Sequence, residues 1–403
     1  MISLDEALNK IRVYVRPLAS EHVPLAEALD RVLAGDVTSD VDSPPHDKSI
    51  VDGYAVRSAD YTSPASVFTV LEEVVAGAVP KRAVVPGTAT RIMTGAPLPE
   101  GADAVVMVEQ TELLDPASVR IDVPRIAAGQ NIMRRAASMR KGEKVLTTGH
   151  TVRPMEVGLL AEVGQSQVAV FRRPRVAVLP TGNELVSPAE IPAAGQIRNS
   201  NGAMLLAAAR RAGCDSTDLG IGRDDHESLR RLIAEGLQGD VLLISGGVSA
   251  GVLDLVPGVL AELGVRQVFH KINLKPGKPL WFGVLETDAA TRLVFGLPGN
   301  PVSSLVCFEL FVRPALRAMT GHPFEPRGTI AARLSADFQQ RGDRVTYHPG
   351  RLDRSAGTTT VEPLLWKGSG DLRTLAAANA LIRFDPGAGL FKSGETVEAV
   401  PLD

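Results

Sequence analysis

The chain has 403 residues, 44% of them hydrophobic, which is enough for more than one core and for roughly two to four domains of ordinary size. Lys and Arg total 43 against 46 Asp and Glu, a formal net charge of -3, so the basic excess of a generic nucleic-acid binder is missing. No run of about 18 uninterrupted apolar residues is present, which argues against a membrane span. Two cysteines in apolar stretches, Cys214 and Cys307, read as buried thiols and not as a disulfide framework or a metal site.

Residues 1–18 carry an amphipathic helical pattern with Asp5 and Glu6 near its start. It lacks the apolar core of a signal peptide, so a cytoplasmic location is expected. Up to residue 171 the texture stays mixed: short β-like runs (67–75, 104–109) alternate with Pro- and Gly-rich turns, as in an irregular β-rich unit. Over 172–325 strands alternate with helices. Strands are expected at 175–179, 216–221, 241–244, 265–272, 280–284 and 293–295, and helices at 201–211, 225–237 and 301–319. The continuous apolar run 241–244 suits a strand buried on both faces, and the alternation predicts a three-layer α/β domain with a mostly parallel sheet. From 326 to 403 short β-like segments return (328–334, 345–352, 358–363, 380–384, 395–400), as in a small barrel or a sandwich, the barrel ranking first.

Three Gly-rich segments of the middle region each follow an expected strand: 180–184, 245–251 and 296–301. In open α/β sheets ligands bind outside the carboxyl ends of strands, where glycine lets backbone approach a ligand and helix starts offer N–H groups to anions. Three such loops on one rim point to a phosphate-type site, whereas a single one reads as a tight turn. No P-loop occurs, and Gly220-Ile221-Gly222 lacks the third glycine of a dinucleotide fingerprint. Lys271, Lys275 and Lys278 lie in a turn stiffened by Pro276 and Pro279. In isolation this is as easily a solvated basic turn, but beside phosphate-cradling loops it would balance a polyanion. Glu184, Asp224 and Asp254 are carboxylates on the same region, of the kind that holds Mg²⁺ beside phosphates. Asp224 and Asp225 also suit a helix N-cap. Asp52 and Thr94, in 49–56 and 91–97, read from chemistry alone as ordinary turn residues.

These segments, taken together and in order, carry a resemblance. DGYAV (52–56), MTGAPLPEGADAVV (93–106), AGQNI (128–132), TGNEL (181–185), SGGVSAG (245–251), KPGKP (275–279), GLPGNPVS (296–303) and GSG (368–370) resemble the MoeA and gephyrin E-domain family over essentially the whole chain. The resemblance implies an N-terminal region of two subdomains (1–171), a MogA-like molybdopterin-binding domain (172–325) and a C-terminal β-barrel (326–403). It implies an elongated homodimer with a cleft between the middle domain of one subunit and the N-terminal region of the other. The implied reaction inserts molybdate into molybdopterin-AMP with release of AMP, in a Mg²⁺-dependent manner. A MogA-like adenylyltransferase and molybdoenzyme acceptors are the expected partners, with neither nucleic acid nor membrane involved.

The family's functional positions fall on Asp52, Thr94, Glu184, Asp224 and Asp254 as catalytic residues, the last three also as metal ligands. Ligand contacts would come from Thr181, Gly182, Ser245, Gly246, Gly247, Ser249, Gly251, Pro298, Gly299, Asn300 and Pro301, and from Lys271, Lys275 and Ser369 toward molybdate. The chain departs from the family pattern at Asn183, at Ala136-Ala137-Ser138 and at Leu255 and Pro257. These departures leave an alternative, a divergent relative that holds molybdopterin as carrier or regulator without efficient metal insertion.

Overall fold

The computed structural model describes residues 1–248, 255–288, 290–355, 357–387 and 389–402. They form two compact units, one of residues 23–29 and 35–168, the other of 1–22, 30–34 and 169–403.

The larger unit is built on a six-stranded sheet in the order Asp215–Asp218, Arg175–Pro180, Val241–Ser245, Thr291–Leu297, Trp281–Glu286, Arg266–His270. The first four strands run parallel and the last two antiparallel. Val241–Ser245 sits inside this sheet and is buried at every position, as its unbroken apolar run requires. Phe269, Phe282 and Phe295 line one face, with ring centroids 5.6 and 4.9 Å apart. The helix Leu4–Arg12 lays Ala7, Leu8 and Ile11 on that same core. It is capped by Ser3 and ends earlier than residue 18: the β-branched Val13 and Val15 and then Pro17 disfavour further turns.

Helix Ser200–Arg211 starts at Asn199, whose side chain accepts from Gly202 N, and helix His226–Gly236 starts at Asp225, which accepts from Ser228 N. The expected single helix 301–319 is one helical run with a π-helical segment, Phe308–Val312, between Pro301–Cys307 and Arg313–Met319. Pro314 has no N–H to return to the preceding turn, which accounts for the widening.

Five strands after residue 329 close on themselves. Val345–Asp353 pairs with Thr360–Pro363, then follow Ile330–Leu334, Thr396–Pro401 and Ala380–Phe384, which pairs back onto Val345–Asp353. The region is therefore a barrel and not a sandwich, filled by Leu334, Val361, Ile382, Phe384 and Ala399. Leu274–Lys275 adds a parallel strand beside Val345–Asp353, so the lysine turn is anchored on the barrel.

The smaller unit is β-rich. Its six-stranded sheet runs Ala104–Met107, Gly53–Val56, Thr88–Ile92, Ser66–Val74, Ser118–Ile121, Thr111–Asp115, with one parallel pairing, Ser66–Val74 to Thr88–Ile92. Gly53 is obligatory there: a Cβ at that position would stand 1.9 Å from the Val106 carbonyl oxygen.

Candidate functional site

Register places the three glycine-rich loops on one rim. Pro180 pairs with Ser245, and Ser245 with Leu297, so the parallel strands end level and their loops leave side by side. The loops are then pressed together. Gly246 and Gly247 have φ of 93° and 63°, and a Cβ on either would stand 2.6 Å from Thr181 O or 2.8 Å from Thr181 Oγ1. Side chains other than hydrogen are excluded there by both conformation and space. The result is a cleft of about 580 Å³ lined by all three loops, the start of helix Ser200–Arg211, Asp224, Pro279, Gly370 and Leu372.

Asn201 ties the rim together. Its Nδ2 donates to Ser245 Oγ (2.8 Å) and to the Gly299 carbonyl (2.7 Å). The carbonyl can only accept, which fixes the amide orientation. Asn201 Oδ1 is then left buried without a partner, as is Thr181 Oγ1. Both residues are more than nine-tenths buried and both line the cleft. A buried, unpartnered polar atom is costly unless something fills its need, and a ligand N–H or O–H in the cleft would do so.

The TGNEL loop is held from outside. Arg223 Nη1 donates to the carbonyls of Asn183 (3.2 Å) and Leu185 (3.0 Å). Asn183 and Asp224 exchange two hydrogen bonds, Asn183 N to Asp224 Oδ2 at 3.2 Å and Asp224 N to Asn183 Oδ1 at 3.1 Å. The asparagine that stands where the motif carries aspartate thus keeps Asp224 in place without setting a second carboxylate against it. Asp225 serves as helix cap, and Asp224 and Glu184 both face the cleft.

At the third loop the helix start offers less than its position suggests. Pro301 has no N–H, and Val302 N donates to the Ser369 carbonyl at 3.1 Å. Asn300 Nδ2 donates to Ser369 Oγ at 2.8 Å. Ser369 therefore clamps the 368–370 turn onto this loop from just outside the cleft lining. Lys271 and Lys275 also lie outside that lining. Lys271 adopts φ 71°, uncommon for a residue with a side chain, and Lys275 Nζ donates to the Arg341 carbonyl at 3.3 Å.

Of the residues expected from the sequence, Thr181, Gly182, Glu184, Asp224, Ser245, Gly246, Gly247, Pro298, Gly299, Asn300 and Pro301 come together in the cleft. Ser249, Gly251 and Asp254 lie outside the described residues. Asp52 and Thr94 belong to the smaller unit. There Gly53 pairs with Ile92, which sets residue 52 beside the turn after that strand. Asp52 Oδ1 accepts from both Thr94 N and Thr94 Oγ1 at 2.7 Å. These two bonds hold the Asp52 carboxyl below the ordinary carboxylate range. Asn201 and Arg223 were not among the expected site residues. An amide in the first turn of the helix after a Gly-rich loop, and an arginine directly before Asp224, were the available signals. Both cysteines are buried, and burial pushes the Cys214 thiol up to about 12, so neither is a nucleophile.

Among the described residues no group of three metal-ligating side chains occurs. Glu184 and Asp224 supply two carboxylates on one cleft, a hard oxygen donor set that fits Mg²⁺, which binds through one or two carboxylates plus ligand phosphates and retains waters.

Comparison with known proteins gives a consistent result along the chain. The MoeA N-terminal region (domain I and II) matches residues 2–164, the probable molybdopterin binding domain 177–318, and the MoeA C-terminal region (domain IV) 331–402. The molybdopterin molybdenumtransferase of Bacillus subtilis (strain 168) is 34% identical, covering 99% of this chain and 94% of its own length. The protein of the same name from Staphylococcus aureus (strain COL) is 32% identical, with 99% and 95% covered. The crystal structure of the molybdopterin biosynthesis MoeA protein from Pyrococcus horikoshii OT3 superposes with a TM-score of 0.83 at 30% identity, covering 100% of both chains.

Proposed function

This chain belongs to the MoeA family, and on that premise we propose that it acts in molybdenum cofactor biosynthesis as a molybdopterin molybdenumtransferase, inserting molybdate into adenylylated molybdopterin with release of AMP. The observation that carries the assignment of the cleft is the pair of buried, unpartnered atoms Thr181 Oγ1 and Asn201 Oδ1 beside the glycine-rich rim.

The ligand's phosphate end would lie against the Gly246-Gly247 turn, where no side chain intervenes. Asn201 Oδ1 would accept from a ligand N–H or hydroxyl, and Thr181 Oγ1 can donate or accept. Glu184 and Asp224 would hold Mg²⁺. Bound there, the ion would offset phosphate charge while the phosphoanhydride is hydrolysed. Asp254 is the proposed third carboxylate.

Asp52 stays ionised at neutral pH, because its two Thr94 bonds favour the charged form. Such a carboxylate is a weak base, better suited to orienting a water by accepting its hydrogen bond than to removing its proton. We propose that a second copy of the chain supplies Asp52 and Thr94 to the cleft, making the active form a homodimer. Lys271 and Lys275 would attract molybdate as point charges. A MogA-like adenylyltransferase would deliver the substrate and molybdoenzymes would receive the product. No helix among the described residues is long and apolar enough to cross a membrane, in keeping with a cytoplasmic reaction.

Expression of the chain in a strain lacking its molybdenum insertase tests this reading. Molybdoenzyme activity should return with the intact chain and fail to return with Asp224→Ala. A carrier without turnover would restore nothing.

A further inference from the structure

A second cavity, of about 300 Å³, lies where helix Arg313–Met319 meets the segment leading to the barrel, and it shares no residue with the cleft. Its floor is an unbalanced ion cluster. Glu309 is 3% exposed, and Arg313 meets it with two hydrogen bonds, Nε to Oε2 at 2.7 Å and Nη2 to Oε1 at 2.9 Å. Arg327 also pairs with Glu309. One buried carboxylate thus serves two guanidinium groups, and the excess positive charge sits where water is scarce.

Arg317, one turn beyond Arg313, adds a third guanidinium to the wall. Among the described residues it has no carboxylate within ion-pair distance. Its Nη2 lies 3.5 Å from His322 Nδ1. Arginine can only donate, so Nδ1 accepts and the ring proton resides on Nε2. Burial, with repulsion from Arg317, holds His322 below the usual imidazole range, so it is a neutral N–H donor at neutral pH. Burial likewise pulls the Arg327 guanidinium below its ordinary value, with Arg313 and Arg211 repelling it.

The helix end does not offset this charge with free carbonyls: the Arg317 carbonyl already accepts from Thr320 N, Thr320 Oγ1 and His322 N. The one carboxylate in the lining, Glu325, is solvent-exposed. Pro323 and Pro326 restrict the backbone of the loop that forms the wall, so the cavity is preshaped.

We propose that this cavity is a second binding site, for a doubly charged tetrahedral oxyanion. Guanidinium forks match such oxygens two at a time, and a dianion would reverse the local charge excess. The chemistry is shared by inorganic phosphate, the phosphate end of a small metabolite, and molybdate.

The test is calorimetric titration of inorganic phosphate, and separately of molybdate, into the whole protein at low ionic strength. It uses the intact chain, Arg317→Gln, His322→Ala and, as a cleft control, Ser245→Ala. Arg317 is exposed, so its replacement should leave the unliganded melting temperature unchanged. The intact protein should show one equivalent of binding that weakens about tenfold or more in Arg317→Gln, weakens also in His322→Ala, and persists in Ser245→Ala. Tighter binding of molybdate than of phosphate would mark a store of the metal substrate, and the reverse order a phosphorylated effector. Equal affinity in Arg317→Gln and the intact chain, or no binding of either anion outside the Ser245-dependent site, would overturn the proposal.

Discussion

At the scale of single residues, Asn201 holds the rim and faces the ligand at once. Its removal in Asn201→Ala would leave Ser245 Oγ and the Gly299 carbonyl without their amide donor. A cost of about 1–3 kcal/mol is expected for the orphaned partners, together with a raised KM for adenylylated molybdopterin. Chemical unfolding and steady-state kinetics on one preparation check both, and a normal KM would remove Asn201 from the ligand site. Gly247 carries a different constraint. Gly247→Ala adds a Cβ 2.8 Å from both Thr181 Oγ1 and Val256 Cγ2 at φ 63°, whereas Gly142→Ala meets nothing within 4 Å at φ 83°. The first should lose about 1–3 kcal/mol of stability and the second about 1 kcal/mol, so unfolding curves of the two separate crowding from conformational strain. The rim glycines, Ser245 and Asp224 were legible in the sequence because each sits at a fixed offset from a strand end. Asn201 was not, since its amide reads as an ordinary residue of a helix start until the three loops are folded against it.

At the scale of elements, the small pairing of Val37–Thr38 with Lys144–Leu146 depends on one carboxylate. Asp36 accepts from Thr148 N at 2.9 Å and pairs with Lys144 at 2.5 Å. The Lys144 hydrogen bond, followed by that from Thr148 N, lowers its pKa from 3.8 to about 2. The folded value lies below the unfolded one, so the contribution is complete above pH 3.8 and is lost as pH falls through about 2. Asp36→Asn should therefore melt below the intact chain at pH 6, with the gap closing as the pH approaches about 2. A gap that stays constant across that range would mean that the side chain contributes by shape and not by charge.

Most strands and helices of the larger unit were legible because apolar periodicity and Gly or Pro punctuation agree there. The π-helical segment at Phe308–Val312 was not, since Pro314 permits either a helix break or a widened turn, and packing decides. Closure of the barrel was open for the same reason. It depends on Val345–Asp353 pairing with Ala380–Phe384, a contact between distant segments that local pattern does not encode.

At the scale of the whole molecule, the residues proposed for one reaction are divided between two units. Thr181, Glu184, Asp224 and Ser245 lie in one, and Asp52 and Thr94 in the other. We expect a dimer in sedimentation at micromolar concentration. If the chain were monomeric there and fully active, Asp52 would not need to come from a second copy. The mixed texture of residues 1–171 showed that this region is β-rich, but not that residues 1–22 join the core of the larger unit. That follows from the packing of Ala7, Leu8 and Ile11, whose amphipathic pattern tells of burial without naming the partner.

The measurement closest to the central claim is reconstitution with purified components. The chain is incubated with adenylylated molybdopterin, molybdate and Mg²⁺, AMP release is followed, and the product is passed to a cofactor-free molybdoenzyme. The account predicts AMP release coupled to recovery of molybdoenzyme activity, abolished in Asp224→Ala and dependent on added Mg²⁺. Binding of the adenylate with neither AMP release nor recovered activity would contradict it and leave a carrier.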